Sequence, residues 1–164
     1  MVQRLACCAL LFSLLLPVVA RADVTTGDAS PGMKGFAERH GSETSSVGPL
    51  AASLQGKPVV VRIHADWCPA CKATQATIDQ LKSVYAGKIN FVQFDMTNGK
   101  TAAASLQDAE KLGLDKFFWA SEAATSTVAV IDPKSGKVYA TLYNDGQLGD
   151  YSKAVDEAIA GEHR

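Results

Sequence analysis

The feature that most constrains the fold of this chain is a short apolar strand that runs directly into an amphipathic helix. Val59 to Ala65 is rich in β-branched residues and short, as a buried strand would be. The helix that follows has an apolar stripe at spacings of four, three and four residues. The stripe consists of Thr74, Ile78, Leu81 and Tyr85. Cys68 and Cys71 lie at the junction, where two thiols separated by two residues can make and break one disulfide.

The first 22 residues have the pattern of a secretory signal peptide. Arg4 supplies a positive charge, Leu5 to Val19 is almost wholly apolar, and Ala20-Arg21-Ala22 places small residues at the cleavage positions. An apolar run of about 15 residues is shorter than the roughly 20 that a membrane-spanning helix needs. We therefore predict an exported protein, periplasmic in a bacterium and otherwise secreted, with no membrane span after cleavage.

Export changes the cysteine chemistry of the chain. Signal cleavage removes Cys7 and Cys8, so the four cysteines fall to Cys68 and Cys71. Disulfides persist in the oxidising compartments outside the cytosol. A loop closed by cysteines three positions apart is too short to contribute much stability, which favours a redox role over a structural one.

Charge and size exclude several function classes. Without Arg4 and Arg21 the chain keeps 14 basic and 17 acidic residues, a formal charge of −3, which does not favour binding to nucleic acid or to an anionic membrane. The remaining length of about 140 residues suits one domain with a single core, and we expect a monomer. No nucleotide or flavin motif is present, so we expect no cofactor other than the Cys68–Cys71 disulfide.

The pattern divides the chain into a signal peptide (1–22), a flexible Gly- and Ser-rich arm (23–47) and one domain (48–164). The domain is predicted to contain, in order, a helix at 48–55, a strand at 59–65, a helix at 69–85, a strand at 89–95, a helix at 101–111, a hairpin of 127–132 with 137–143, and a terminal helix around 151–159. Strands separated by helices require a parallel crossover, whereas a hairpin is antiparallel. The fold class is therefore α/β, with a mixed central sheet covered by helices.

With Trp67-Cys68-Pro69-Ala70-Cys71-Lys72 at its first strand-to-helix junction, this order of elements resembles the thioredoxin family over about residues 48–160. Glu110 to Leu114 resembles the helix end that follows in that family. The resemblance implies a thioredoxin-like fold with helices on both faces of the sheet. It also implies an exported thiol–disulfide oxidoreductase that exchanges disulfides with protein partners.

Position on the helix predicts the roles of the two cysteines. Cys68 lies at the helix N-terminus, where unpaired N–H groups and the helix dipole favour a thiolate, and we predict that it is the nucleophile. Cys71 lies one turn deeper and is the predicted resolving thiol. The residues predicted to support the motif are Trp67, Pro69, Ala70 and Lys72. Strongly oxidising relatives carry a His in the dipeptide, so Pro69-Ala70 favours a reductant over a strong oxidant.

Two positions depart from the thioredoxin pattern. Ser126 stands where the family has a cis-proline, within a segment, Thr125 to Thr127, that the resemblance places beside the substrate. A cis bond before a residue other than proline costs about 2.5 to 4 kcal/mol, so we expect either a trans bond with a reshaped loop or a strained cis bond.

Arg62 is the second departure, since it replaces the buried acid that assists proton transfer in thioredoxins. Arg62 either approaches the thiols and lowers their pKa values or pairs with an acid such as Asp95 away from them. Glu110, Glu122 and His64 are the candidates for a replacement base.

Two further alternatives remain open at this point. The aromatic run Phe117-Phe118-Trp119 forms either a docking patch for partners or, as we favour, a short helix that covers the core. The competing function is metal binding or delivery, with Cys68 and Cys71 holding a copper or zinc ion, assisted by His64 or a ligand from a partner. A closed structural metal site is not predicted, because two cysteines and three scattered histidines do not supply four ligands together.

Overall fold

The structure is a computed structural model that describes residues 46–121 and 124–162. Helices alternate with strands along this part of the chain. In chain order the elements are a 3-10 helix Ala52–Leu54, β1 Val59–His64, α1 Pro69–Ala73, α2 Gln75–Val84, β2 Asn90–Asp95, α3 Gly99–Leu112, α4 Asp115–Ser121, β3 Thr127–Ile131, β4 Val138–Tyr143 and α5 Leu148–Glu162.

The strands form one mixed sheet in the order β2-β1-β3-β4. β1 and β2 are parallel, with Val59 opposite Asn90 and His64 opposite Asp95. β3 runs antiparallel to both β1 and β4. The predicted mixed sheet, with a crossover between its first strands and a late hairpin, is therefore confirmed.

Helices cover both faces of this sheet because successive strand residues point to opposite sides. On one face Val59, Val61 and Ile63 pack with residues of α3, α4 and the 3-10 helix. On the other face Val60 and Val130 pack with residues of α2 and α5. The two-sided burial explains why β1 is almost continuously apolar, and it makes Arg62 the exception within that strand.

The aromatic run lies on α4, where Phe117 and Phe118 are buried in the core. Phe118 makes edge-to-face contacts with Phe94 and Trp119, at centroid distances of 5.4 and 6.0 Å. The interpretation of this segment as a core-covering helix is confirmed for both phenylalanines. Trp119 differs from them, because 56% of its surface is exposed.

The predicted helix from Pro69 to Tyr85 is wrong in one respect, since Thr74 interrupts it and separates α1 from α2. The Thr74 hydroxyl donates to the carbonyl of Ala70 at 3.0 Å, and Arg62 donates to the carbonyl of Cys71 at 2.8 Å. Side chains that bond to helix carbonyls in this way commonly interrupt the regular ladder.

The predicted helix at 48–55 is also mostly absent, and only the 3-10 helix forms there. The N–H groups of Leu50 and Ala51 donate to the carbonyls of Pro133 and Leu112, at 2.8 and 2.9 Å. Backbone donors engaged with other parts of the fold are not available to a local helix.

The signal peptide and most of the predicted arm lie outside the described residues. Of the arm, the structure describes Ser46 and Val47, which run beside the β3–β4 turn. Ser46 bridges to Lys137, and the N–H of Val47 donates to the carbonyl of Gly136 at 2.9 Å. Within residues 46–121 and 124–162, the helices are too short or too polar to cross a membrane.

Candidate active site

Cys68 caps the N-terminus of α1 with its own sulfur. Its Sγ accepts the backbone N–H of Cys71 at 3.1 Å, and Pro69 occupies the first turn, where no N–H is needed. Both cysteines are free thiols. Cys68 keeps 4% of its surface exposed whereas Cys71 keeps none, so any partner reaches Cys68 first.

The surroundings of Cys68 favour its thiolate. Burial raises the pKa of Cys68, but hydrogen bonds from the Cys71 thiol, the Thr125 side chain and the N–H groups of Cys71 and Ala70 outweigh it. The pKa of Cys68 is therefore held below its ordinary value. Because α1 has only five residues, this stabilisation comes from individual hydrogen bonds more than from the dipole of a long helix.

Cys71 has the opposite preference. Burial is the largest cause that raises the pKa of Cys71, and the neighbouring Cys68 adds to it through a hydrogen bond and its charge. A hydrogen bond from the backbone of Ala65 and the charge of Arg62 lower the pKa of Cys71 without reversing the shift. The pair is therefore asymmetric, with the negative charge on the outer sulfur and the proton on the inner one.

The segment that faces the thiols has an unusual backbone at Ser126. Its φ of 71° lies in the left-handed region, and its peptide bond is trans, as is every described bond. The N–H of Ser126 donates to the carbonyl of Ile63 at 2.9 Å, and its carbonyl accepts the N–H of Asn144 at 3.2 Å. Of the two predicted possibilities, the structure has the trans bond with a reshaped loop.

This loop brings Thr125 against Cys68, as the pKa of that thiol reflects. Ser126 and Thr127 are buried instead. Ser126 Oγ lies 3.4 Å from the hydroxyl of Thr74, and the hydroxyl of Thr127 donates to the carbonyl of Ala124. Contact of residues 125–127 with a substrate remains a prediction, and Thr125 is the one member that the structure places at the sulfur.

Arg62 is buried beneath α1, with 1% of its surface exposed. Its Nη2 donates to the carbonyl of Cys71 and its Nη1 to Oε1 of Gln75, both at 2.8 Å. The alternative that Arg62 pairs with Asp95 is wrong, because its partners are a carbonyl and an amide next to the motif. Arg62 therefore approaches the thiols, and its charge lowers the pKa of Cys71 against the larger effect of burial.

The comparison with known families agrees with this arrangement. The thioredoxin family model matches residues 50–109, a range that includes β1, both cysteines and β2. The described residues have a thioredoxin-like fold.

Proteins similar to this thioredoxin-like domain include the thiol:disulfide interchange protein TxlA homolog of Synechocystis, 40% identical over 53 residues, which are 32% of this chain and 29% of the relative. The chloroplastic thioredoxin-like protein HCF164 of Arabidopsis thaliana is 36% identical over 58 residues, 35% of this chain and 22% of the relative. The matched segment thus spans less than a third of either relative's length. A solved thiol:disulfide interchange protein from Chlorobium tepidum aligns with a TM-score of 0.48 and 18% identity, over 72% of this chain and 98% of that one.

The remaining motif residues of the thioredoxin-like domain lie around the thiols. Trp67 exposes 60% of its surface while its Nε1 donates to the carbonyl of Thr97 at 3.0 Å, so the ring is both anchored and available for contact. Ala70 is half-buried and packs against the cysteines, whereas Lys72 is exposed. Both remain predicted supporting residues.

Sequence reasoning missed Met96 and Thr97 at the site. Met96 packs against the cysteine cluster, and Thr97 Oγ1 accepts the N–H of Asp66 at 3.0 Å. These two residues follow β2, whose carboxyl end is beside that of β1 in the parallel pair. The parallel crossover was therefore the signal that could have located them.

Among the described residues, no hydrogen bond joins the candidate bases His64 and Glu110 to the thiols. His64 Nε2 lies 3.1 Å from Asp66, and its buried Nδ1 has no hydrogen-bond partner there. Glu110 is exposed on α3, and Glu122 lies outside the described residues. The described residues contain no group of three or more His, Cys, Asp or Glu side chains placed to hold a metal ion.

Proposed function

We propose that this chain is an exported thiol–disulfide oxidoreductase that exchanges its Cys68–Cys71 disulfide with the thiols of partner proteins. The observation that carries the proposal is the asymmetry of the pair, with a lowered pKa at the slightly exposed Cys68 and a raised pKa at the buried Cys71. An accessible thiolate is the attacking species in disulfide exchange, and a protonated inner thiol does not compete with it. The names of the two relatives, a thiol:disulfide interchange protein and a thioredoxin-like protein, support the same chemistry.

Reduction of a partner then takes two exchanges. The Cys68 thiolate attacks one sulfur of the partner disulfide; a mixed disulfide forms, and the other partner sulfur leaves as a thiolate and takes a proton. Cys71 loses its proton to solvent and attacks Cys68 Sγ, which forms the Cys68–Cys71 disulfide and releases the second partner thiol. Two electrons pass from the protein to the partner, and a dithiol donor must return them before the next cycle.

We further propose that the chain acts as a reductant and not as a strong oxidant. The dipeptide between the cysteines, Pro69-Ala70, brings no positive charge to Cys68. A thiolate with fewer cationic neighbours is less stable, so the reduced form is oxidised more readily and the reduction potential is lower.

Purified wild-type protein, kept reduced by dithiothreitol, is expected to precipitate the insulin B chain faster than dithiothreitol alone. Its reduction potential is expected to fall closer to the thioredoxin value of about −270 mV than to the value of about −120 mV of a strong periplasmic oxidant. Equilibration with glutathione and metal analysis of the same preparation are the measurements. A potential near the oxidant's would contradict the direction, and one bound copper or zinc per chain without insulin reduction would favour metal delivery.

Export is tested by the N-terminus of the mature protein. We expect secreted or periplasmic material to begin at Asp23, as read by intact mass. The control Leu14→Arg places a charge in the apolar run and is expected to leave a full-length precursor in the cell. Wild-type protein that retains residues 1–22 after export would refute cleavage at this position.

A further inference from the structure

A buried positive charge without a carboxylate partner lies directly under the redox motif. Arg62 is on β1, its surface is 1% exposed, and within residues 46–121 and 124–162 no acidic side chain approaches its guanidinium to within 4.0 Å. Its Nε is also buried without a hydrogen-bond partner in that part of the chain. A buried charge that lacks a counter-charge lowers the free energy of unfolding, so an anion close to Arg62 would stabilise the protein.

The described neighbours of Arg62 do not supply that anion. Gln75, which accepts the hydrogen bond from Arg62 Nη1, is neutral. Its amide Nε2 donates to Asp79 Oδ1 at 2.9 Å, so the amide lies between this carboxylate and the guanidinium. Tyr151 also faces Arg62, but burial first and the charge of Asp145 second raise the pKa of Tyr151 to about 12, so its hydroxyl is neutral at physiological pH. The carbonyl of Cys71, 2.8 Å from Nη2, contributes a dipole and no charge.

Among the described residues, the cysteine pair is the remaining source of negative charge near Arg62, which bonds to the backbone of Cys71 and whose charge acts on the Cys71 thiol. A disulfide is neutral, whereas the reduced pair carries a thiolate. Reduction takes up two electrons and one proton, and it converts the disulfide into a thiolate at Cys68 and a thiol at Cys71. A positive charge fixed beneath the motif therefore interacts more favourably with the reduced form than with the oxidised form.

We propose that Arg62 is a positioning residue that stabilises the reduced Cys68–Cys71 pair and so raises its reduction potential. This inference rests on the proposed redox function for its biological meaning. Arg62 then limits how strong a reductant the protein can be. It does so at the position where the resemblance to thioredoxins would place a buried acid.

The test is the redox equilibrium of the pair with glutathione, in which two glutathione thiols become one glutathione disulfide as the protein disulfide is reduced. Arg62→Met removes the charge at similar volume and is expected to shift this equilibrium about tenfold toward the protein disulfide, equivalent to about 30 mV. Arg62→Lys keeps a charge and is expected to stay within about threefold of wild type.

Two further variants separate charge from packing. Gln75→Glu leaves Arg62 in place but puts a carboxylate against Nη1, so it is expected to shift the equilibrium in the same direction as Arg62→Met. Lys134→Gln removes an exposed charge from the β3–β4 turn, and its distance from the motif and solvent screening are expected to keep its shift below about twofold. Because Gln75→Glu creates a buried ion pair instead of removing a buried group, it keeps the test decisive if Arg62→Met does not fold.

Equal shifts in Arg62→Met and Arg62→Lys would overturn the proposal, because a loss of packing would then explain both. So would unshifted equilibria in both Arg62→Met and Gln75→Glu. The glutathione equilibrium involves no protein partner, so it is independent of insulin reduction. If the wild-type protein does not reduce insulin, the proposed function is wrong. The inference on Arg62 is then still decided by the shifts in the glutathione equilibrium.

Discussion

Cys68→Ser is expected to abolish insulin reduction, with activity indistinguishable from the dithiothreitol background. A serine hydroxyl does not ionise near pH 7 and cannot form the mixed disulfide, and the buried Cys71 is not placed to replace it as the attacking group. The insulin precipitation assay measures the loss. A matched control is Lys134→Gln, an exposed position in the β3–β4 turn, which is expected to keep wild-type turnover. Activity that survives Cys68→Ser would refute the assignment of the nucleophile.

Cys71→Ser is expected to have a different phenotype, because the first exchange still proceeds. The mixed disulfide on Cys68 then has no resolving thiol, so covalent adducts with partner proteins accumulate and are visible on non-reducing gels. Within residues 23–164 of this variant Cys68 is the only thiol, and its alkylation by iodoacetamide reports its pKa with a serine hydroxyl in place of the Cys71 thiol as the hydrogen-bond donor. The thiolate is the reactive form, so a lowered pKa moves the midpoint of the rate profile below the ordinary value of about 8.5. A midpoint above that value would contradict the hydrogen-bonded thiolate.

Ser126→Pro, which restores the residue typical of thioredoxins, is expected to destabilise this protein by about 3 kcal/mol or more. Proline fixes φ near −65°, whereas Ser126 has a φ of 71°. Proline also lacks the N–H that donates to the carbonyl of Ile63 at 2.9 Å. Urea unfolding followed by circular dichroism measures the free energy of unfolding of both proteins.

Ser126→Gly is the matched control for that substitution. Glycine adopts positive φ without steric cost and keeps the N–H, so its free energy of unfolding is expected to stay within about 1 kcal/mol of wild type. The contrast between the two variants isolates the backbone from the loss of the Ser126 hydroxyl. If Ser126→Pro were as stable as wild type, the left-handed backbone at this position would not be a requirement of the fold.

The strands and their order along the chain were predictable because local sequence determines them. The β-branched run of β1 and the glycine that ends α3, with Gly113 at a φ of 73°, each need only their own neighbours to be recognised. The β3–β4 hairpin was equally predictable from the turn residues Pro133 to Gly136, which lie between two strand-like runs. The break at Thr74 was not, since one of the bonds to the carbonyls of α1 comes from Arg62, which lies on β1 nine positions before Cys71.

In the candidate site, too, some features could be predicted from local sequence and others could not. The roles predicted for Cys68 and Cys71 depend on their places on one helix, so sequence alone was enough to predict them. Predicting the hydrogen-bond partner of Arg62 would have required knowing which face of β1 the side chain occupies and which carbonyls of α1 are available there. The positive φ of Ser126 is set by its bonds to Ile63 and Asn144, which belong to other segments. Features that arise between elements were therefore the ones that sequence reasoning left open or missed.

The docking of Ser46 and Val47 on the β3–β4 turn determines where the chain enters the domain. That turn follows Ile131, which is paired with Val59 at the start of β1, whereas the thiols follow His64 at its end. The six residues of β1 separate the two ends of the sheet by about 20 Å. A surface linkage made at Ser46 or Val47 is thus at the opposite pole from Cys68. Immobilisation through that site presents the reactive sulfur outward, which suits both partner trapping and electrode measurements.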